Sequence, residues 1–212
     1  MSFTEQIGPY LLTVPEGVFP LGGDTLALGD FATVRPRERV CDLGTGSGAL
    51  LLLLARRAEG LTLHGVELDE RGALAARENL AANGLDGAIL HGDLRNAPFE
   101  AGAYDLVVSN PPYFPVAAGR SGGRARSEED CTLADVCRAA ARLLRFGGRF
   151  VLCHRPERLC DLLCALREQK LEPKRLQFVA HDPAARPSAV LVEAVYGGRP
   201  GLEVLPARFA AD

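Results

Sequence analysis

The stretch VCDLGTGSGA, residues 40–49, decides the fold class. A mostly apolar run leads into three alternate glycines, and an unbroken run of leucines follows at residues 50–54. A strand that passes through a glycine-rich turn into an apolar helix opens many α/β folds, and such a turn lets the backbone approach a nucleotide-like ligand. Gly44, Gly46 and Ala49 also satisfy the relaxed dinucleotide pattern. The loop alone therefore leaves open whether the ligand is a nicotinamide cofactor or another nucleoside.

Strand and helix patterns alternate on both sides of this stretch. We predict strands near residues 38–43, 61–67, 87–91, 104–109, 147–154, 174–181 and 188–197. We predict helices near residues 48–58, 69–83, 130–145 and 156–169. This alternation predicts an α/β fold with a mostly parallel sheet and helices on both faces. Residues 182–187 show no helical pattern, so the last two strands should form an antiparallel hairpin.

Size and composition fit one sizeable core. The 212 residues are 47% apolar and carry a net charge of -3. We expect a single domain over residues 1–212, with a lead-in segment at 1–37 and an α/β core at 38–212. The amino terminus has no signal-peptide pattern and no apolar run reaches ~18 residues, so we expect a cytoplasmic protein. Six cysteines without a C-x-x-C pair indicate reduced thiols and no metal site.

Two acids follow successive predicted strands. Glu67 closes its strand 23 positions after Gly44, the spacing expected for an acceptor of ribose hydroxyls. Asp93 closes the next strand, where its carboxylate could accept from an adenine amine. Capping the following helix explains either acid equally well when it is taken alone. Their repeated position after two strands favours the ligand interpretation.

A second motif, Asn110-Pro111-Pro112-Tyr113, follows the predicted strand at 104–109. Ligands bind beyond the carboxyl ends of strands in open α/β sheets. The prolines fix the backbone and remove two donors, while the Asn110 oxygen and a backbone carbonyl can accept both hydrogens of an NH2 group. The aromatic ring can stack on a planar base. This motif therefore predicts a site for an exocyclic amine.

The loop after this motif is basic. Arg120, Arg124 and Arg126 lie among glycines and serines with no acid between them. A basic loop beside the site could hold phosphates. Pairing of these arginines with the acids at residues 128–130 is an equally good explanation.

Together these residues resemble the class I S-adenosylmethionine-dependent methyltransferases, with residues 42–48 matching the nucleoside-binding motif and residues 110–113 the amino-methylating motif. Within that class, residues 19–28, 131–135, 154–159 and 171–176 are similar to the tRNA1(Val) adenine-N6-methyltransferase family. The family often carries Thr-Asp where this chain has Gly23-Asp24. The resemblance implies a Rossmann-like, seven-stranded sheet with an antiparallel carboxyl-terminal hairpin.

The resemblance also implies roles for individual residues. The expected catalytic residues are Asn110, Pro111, Pro112 and Tyr113. The expected S-adenosyl-L-methionine-binding residues are Asp42, Gly44, Thr45, Gly46, Gly48, Glu67, Leu68, Asp93, Leu94 and Asn110. The expected substrate-binding residues are Asp24, Tyr113, Phe114, Arg120, Arg124 and Arg126.

The expected reaction is N6-methylation of adenine in RNA, at an anticodon-loop adenine of tRNA. A normally stacked base must be unpaired or extruded to react, which favours a loop nucleotide. The main alternative is a protein glutamine N5-methyltransferase that uses the same Asn-Pro-Pro-Tyr motif. Two further alternatives are a nucleotide-binding protein without catalysis and an NAD-dependent enzyme. The sequence leaves open which RNA is modified and the oligomeric state.

Overall fold

The computed structural model describes residues 2–111 and 131–209. Before the core lie a hairpin of β1 (Phe3–Ile7) and β2 (Tyr10–Val14) and the helix α1 (Gly23–Phe31). The core continues with β3 (Arg39–Leu43), α2 (Ala49–Ala55), β4 (Thr62–Glu67), α3 (Glu70–Ala82), β5 (Gly87–His91), a 3-10 helix (Leu94–Asn96) and β6 (Tyr104–Ser109). It ends with α4 (Leu133–Leu143), β7 (Leu144–His154), a 3-10 helix (Pro156–Arg158), α5 (Leu159–Glu168), β8 (Leu171–Ala180), β9 (Ala189–Tyr196), β10 (Glu203–Val204) and β11 (Arg208–Phe209).

The main sheet has the strand order β10-β8-β9-β7-β6-β3-β4-β5, and β11 also pairs with β8. Strands β5, β4, β3, β6 and β7 are parallel neighbours. Strand β9 runs antiparallel between β7 and β8, which confirms the predicted hairpin. The seven predicted strands are all present. The two-residue strands β10 and β11 extend the predicted seven-stranded sheet at its β8 edge.

Helices cover both faces of the sheet. One apolar cluster packs α1, α2, α3 and the hairpin against the sheet, and a second packs α4 and α5 against the other face. Leu50–Leu54 are all buried because α2 packs against α1 and against β2 of the hairpin within the first apolar cluster. A Cβ added to Gly29 of α1 would lie 2.8 Å from Leu53 Cβ, so these two helices pack closely. The predicted α/β fold with two covered faces is confirmed.

Some predicted boundaries were wrong. Strand β8 begins at residue 171, three residues before the predicted start, because a register shift beside Pro173 accommodates the missing N–H. Strand β7 likewise begins at residue 144 instead of 147. The hairpin and α1 lie in the segment 1–37, for which we predicted no elements. In the described part of the chain, no helix is both long and apolar enough to cross a membrane.

Candidate active site

The glycine loop leaves the carboxyl end of β3 through three residues with left-handed backbone. Gly44, Gly46 and Gly48 have φ angles of 81°, 54° and 84°. Residues that carry a side chain rarely adopt these backbone angles, which explains why all three positions are glycine. A Cβ added to Gly44 or Gly46 would meet no atom of residues 2–111 or 131–209 within 4 Å, so these residues leave the outer side of the loop open. The N–H groups of Gly44 and Thr45 both donate to the Val66 carbonyl at the end of β4, at 2.8 and 3.0 Å.

Two buried polar atoms beside this loop have no partner among the described residues. They are Asp42 Oδ1 and Thr45 Oγ1, on side chains that are 2% and 6% exposed. Burial raises the pKa of Asp42 to about 7; the nearby Thr45 hydroxyl acts in the opposite direction and the Glu67 carboxylate in the same direction. Buried polar atoms are nearly always paired in native proteins. These two atoms therefore fit a polar ligand that the loop would enclose.

Glu67 lies at the end of β4 and holds the loop. Its Oε2 accepts from the Gly46 N–H at 2.9 Å, and its Oε1 accepts from the Asp69 N–H at 2.8 Å. A carboxylate is an acceptor of hydroxyl hydrogens, so the predicted contact of Glu67 with ribose stays a prediction that its position at the end of β4 allows. Leu68, the next residue, is 41% exposed. Its partial exposure is consistent with the predicted contact to a cofactor.

Asp93, unlike Glu67, has no contact with the glycine loop among the hydrogen bonds of the described residues. It caps the 3-10 helix at Leu94–Asn96 by accepting from the Arg95 N–H at 2.9 Å, and it pairs with the Arg95 guanidinium, with Nε 2.8 Å from Oδ2. This hydrogen bond with Arg95 lowers the pKa of Asp93. The capping role proposed from the sequence is thus present. Leu94 is partly buried against the apolar cluster of α4 and α5. The predicted contact of these two residues with adenine stays a prediction.

Asn110 follows β6, the neighbour of β3 in the sheet. Its amide Nδ2 donates to Thr25 Oγ1 at 2.9 Å. The preceding Ser109 is fully buried, and its hydroxyl donates to the Leu43 carbonyl at 2.7 Å. This bond ties the ends of β6 and β3 together. It places Asn110, the residue after Ser109, near the glycine loop, which begins one residue after Leu43.

The first turn of α1 also belongs to the site. Asp24 is half-buried, and burial raises its pKa. The adjacent Thr25 contacts Asn110, so the lead-in segment reaches the second motif. Sequence analysis included Asp24 but missed Thr25, Ser109 and a buried side chain of α3, Asn79. No local pattern identifies these three residues, because their partners lie 85, 66 and 66 positions away.

Several predicted site residues lie outside the described residues. Pro111 is described and half-buried. The others are Pro112, Tyr113, Phe114, Arg120, Arg124 and Arg126. Among the described residues, no group of three or more His, Cys, Asp or Glu side chains could hold a metal ion.

The glycine loop after β3 and Asn110 after β6 thus lie close together. Comparison with known proteins identifies the family in which this arrangement occurs. The family "Methyltransferase small domain" matches residues 23–161, which span α1, the glycine loop and the second motif. A tRNA1(Val) (adenine(37)-N6)-methyltransferase of Parabacteroides distasonis is 32% identical over 179 residues, 82% of this chain and 75% of that protein. The chain belongs to this methyltransferase family.

Solved structures support the fold. A predicted O-methyltransferase, protein Atu636 from Agrobacterium tumefaciens, superposes with a TM-score of 0.72 at 22% identity, over 88% of this chain and 86% of that chain. Geranyl diphosphate C-methyltransferase from Streptomyces coelicolor, solved with S-adenosyl-L-homocysteine, has a TM-score of 0.59 at 16% identity, over 81% and 74% of the two chains. Methyltransferase membership decides against the dinucleotide interpretation of the glycine loop. The family resemblance inferred from the sequence is confirmed.

Proposed function

We propose that this methyltransferase transfers the methyl group of S-adenosyl-L-methionine to N6 of an unpaired adenine in tRNA, in the anticodon loop. The observation that carries this proposal is the position of Asn110 beside the glycine loop, with the ends of β6 and β3 joined through Ser109. The substrate named for the Parabacteroides distasonis relative supports the same reaction. We propose the cytoplasm as the place of the reaction, where tRNA is modified.

The residues of the glycine loop fit S-adenosyl-L-methionine. Asp42 Oδ1 and Thr45 Oγ1 are buried polar atoms without partners in the described chain, and the space above Gly44 and Gly46 is open. A buried carboxylate suits the cationic amino-acid part of the ligand, and a carboxylate at the end of β4, such as that of Glu67, suits its ribose hydroxyls. Once bound, this cosubstrate supplies an electrophilic methyl group on a sulfonium sulfur. The remaining residues proposed to contact it are Gly48, Leu68, Asp93, Leu94 and Asn110.

Asn110 is the proposed catalytic residue. The adenine amine is a weak nucleophile because its lone pair is delocalised into the ring. Hydrogen bonds from both amine hydrogens to the Asn110 oxygen and the Pro111 carbonyl would favour a pyramidal nitrogen whose lone pair points at the methyl group. Thr25 accepts from the Asn110 amide nitrogen, and the amide oxygen is the atom proposed to meet the substrate. Much of the rate enhancement then comes from alignment of nitrogen, carbon and sulfur.

A strong general base is not needed in this reaction. The amine proton becomes acidic as nitrogen gains the methyl group and its positive charge, so water or a carbonyl can accept it. Tyr113 is proposed to stack on the adenine, and Phe114, Arg120, Arg124 and Arg126 are proposed to contact the RNA, with Asp24 at the other side of the site. These roles rest on the sequence motif, since all of these residues except Asp24 lie outside the described residues.

The proposal is tested by identifying the product. Purified protein is incubated with methyl-labelled S-adenosyl-L-methionine and either unmodified bulk tRNA or a glutamine-containing peptide, and the labelled nucleoside or residue is determined after digestion. We expect label in N6-methyladenosine from tRNA and none in the peptide. Labelled N5-methylglutamine with unlabelled tRNA would overturn the adenine assignment and support the glutamine alternative. Label in another nucleoside would overturn the role of the amide motif.

A further inference from the structure

One face of α3 packs against the glycine loop along its length. A Cβ added to Gly72 would lie 3.3 Å from the Gly46 carbonyl oxygen, and one added to Gly48 would lie 3.3 Å from Ala76 Cα. One turn further along the helix, Asn79 Nδ2 donates to the carbonyl of Ser47, the loop residue between the two glycines, at 2.9 Å. Residues spaced by three and four positions share one helix face. Each residue of the loop from 46 to 48 therefore meets a residue of α3.

Asn79 also binds the amino-terminal hairpin. Its Oδ1 accepts from the Thr13 N–H and its Nδ2 donates to the Thr13 carbonyl, both at 2.9 Å. Asn83, one turn later, makes the same pair of bonds to Leu11, at 2.9 and 2.8 Å. Four residues of helix rise ~6 Å and two residues of strand span ~6.8 Å, so the two amides match the free edge of β2. Together they replace a neighbouring strand.

The two asparagines differ in what else they hold. Asn79 is 3% exposed and joins Thr13 to Ser47. Asn83 is half-buried, and its further bond goes to the Asn79 carbonyl in its own helix. Both dock the hairpin, but Asn79 alone of the pair contacts the glycine loop. Asn83 is therefore a matched control for Asn79.

The geometry points to Asn79 as a positioning residue for cosubstrate binding, which couples the hairpin to the glycine loop. This inference rests on the proposed function, because the loop is the proposed site for S-adenosyl-L-methionine. Ser47 lies between two glycines that leave its peptide many conformations, and the Asn79 amide restricts that freedom by holding its carbonyl. Without the amide, the loop would have to be ordered when the ligand binds, and affinity would fall.

Binding of S-adenosyl-L-homocysteine to the wild type, Asn79→Ser and Asn83→Ser tests this role by calorimetry. We expect the Kd of Asn79→Ser to rise about tenfold, since it loses the bond to the buried Ser47 carbonyl, and that of Asn83→Ser to change less than about twofold. The turnover rate of Asn79→Ser at saturating S-adenosyl-L-methionine should stay within about threefold, because the reacting groups are untouched. Equal weakening in both variants would overturn the inference and reduce Asn79 to a hairpin anchor, and so would an unchanged Kd in Asn79→Ser.

A second measurement needs no variant. Since coupling between two sites is reciprocal, ligand bound at the loop must also stabilise the Asn79 contacts to the hairpin. Saturating S-adenosyl-L-homocysteine should slow hydrogen exchange of the Thr13 amide about fivefold or more in the wild type. Binding without any slowing would overturn the coupling and leave the proposed function intact. A wild type that binds no S-adenosyl-L-homocysteine would overturn the proposed function, and the coupling would fall with it.

Discussion

Two regions meet at the neighbouring ends of β3 and β6, and they are held in different ways. The cofactor side, Asp42–Gly48 with Glu67, is held by the Val66 carbonyl, by Glu67 and by Asn79, yet two of its buried polar atoms have no hydrogen-bond partner among the described residues. The acceptor side, Thr25 with Ser109–Pro111, presents a half-buried amide that is oriented by a hydroxyl. From this difference we propose that the cofactor side determines binding and that the acceptor side determines methyl transfer.

The largest expected effect is on the acceptor side. Asn110→Ala removes the amide oxygen proposed to accept from the adenine amine, and we expect turnover to fall about 10³-fold. The affinity for S-adenosyl-L-homocysteine should change much less. Single-turnover methylation and calorimetry on the same preparation would measure both quantities. If Asn110→Ala lost affinity for S-adenosyl-L-homocysteine and kept its single-turnover rate, Asn110 would act in binding and the proposed roles of the two sides would be wrong.

Asp42→Asn should act on the cofactor side instead. The pKa of Asp42 is raised to about 7 in the unliganded protein, so its carboxyl becomes charged as pH rises through that value. A cationic ligand should therefore bind more tightly as pH increases toward 8, by up to about tenfold per unit below pH 7. Asp42→Asn should bind about 100-fold more weakly at pH 8 and show a flat profile. A wild-type Kd that is constant between pH 5.5 and 8.5 would contradict this role.

The same raised pKa has a consequence for stability. Because the folded pKa lies above the ordinary value, the unliganded protein holds a proton that the unfolded chain releases, and the free energy of unfolding decreases as pH rises from about 4 to 7. The decrease from this group is at most about 4 kcal/mol. Asp42→Asn should lose this part of the pH dependence. Urea unfolding of both proteins at pH 5 and pH 8 would measure the difference.

Glu67 and Asp93 both follow strands, and substituting each one shows which acid contributes more to cosubstrate affinity. Glu67→Gln places an NH2 group against either the Gly46 or the Asp69 N–H, so we expect the Kd for S-adenosyl-L-homocysteine to rise about 30-fold. Asp93→Asn disturbs an exposed pair with Arg95, and we expect about a threefold rise. Titrations of both variants would decide the order. A larger loss in Asp93→Asn would place the main adenosine contact at β5 instead of β4.

The sequence predicted all seven core strands, because most of them, such as β6 and β9, are largely apolar runs between turn residues. The start of β8 was harder to place, because that strand contains several polar residues. The sequence also placed the two motifs at the ends of β3 and β6, since parallel strands end on the same edge of a sheet. The helix predicted near residues 69–83 is α3, which ends at Ala82, and Gly84 follows it with a φ of 66°. Glu67 lies where the spacing placed it, at the end of β4.

Contacts across long sequence separations could not be predicted. The hairpin of β1 and β2 has few fully buried positions, and its free edge is completed by two amides from α3 about 70 residues later. The bond of Thr25 to Asn110 depends on how α1 packs over the sheet. The role of Asp93 could not be predicted for a different reason. A carboxylate that follows a strand can cap the next helix or bind a ligand, and the local sequence is the same in both cases.

Thr25→Val tests the division between the two sides most directly, because this substitution removes the hydroxyl that contacts Asn110 and keeps the side-chain shape. Turnover and the Kd for S-adenosyl-L-homocysteine are measured on the wild type, Thr25→Val and Thr25→Ser. We expect about tenfold slower methyl transfer in Thr25→Val, an unchanged Kd, and recovery of the rate in Thr25→Ser. An unchanged rate in Thr25→Val, or a loss of affinity equal to the loss of rate, would contradict the separate roles of the two sides.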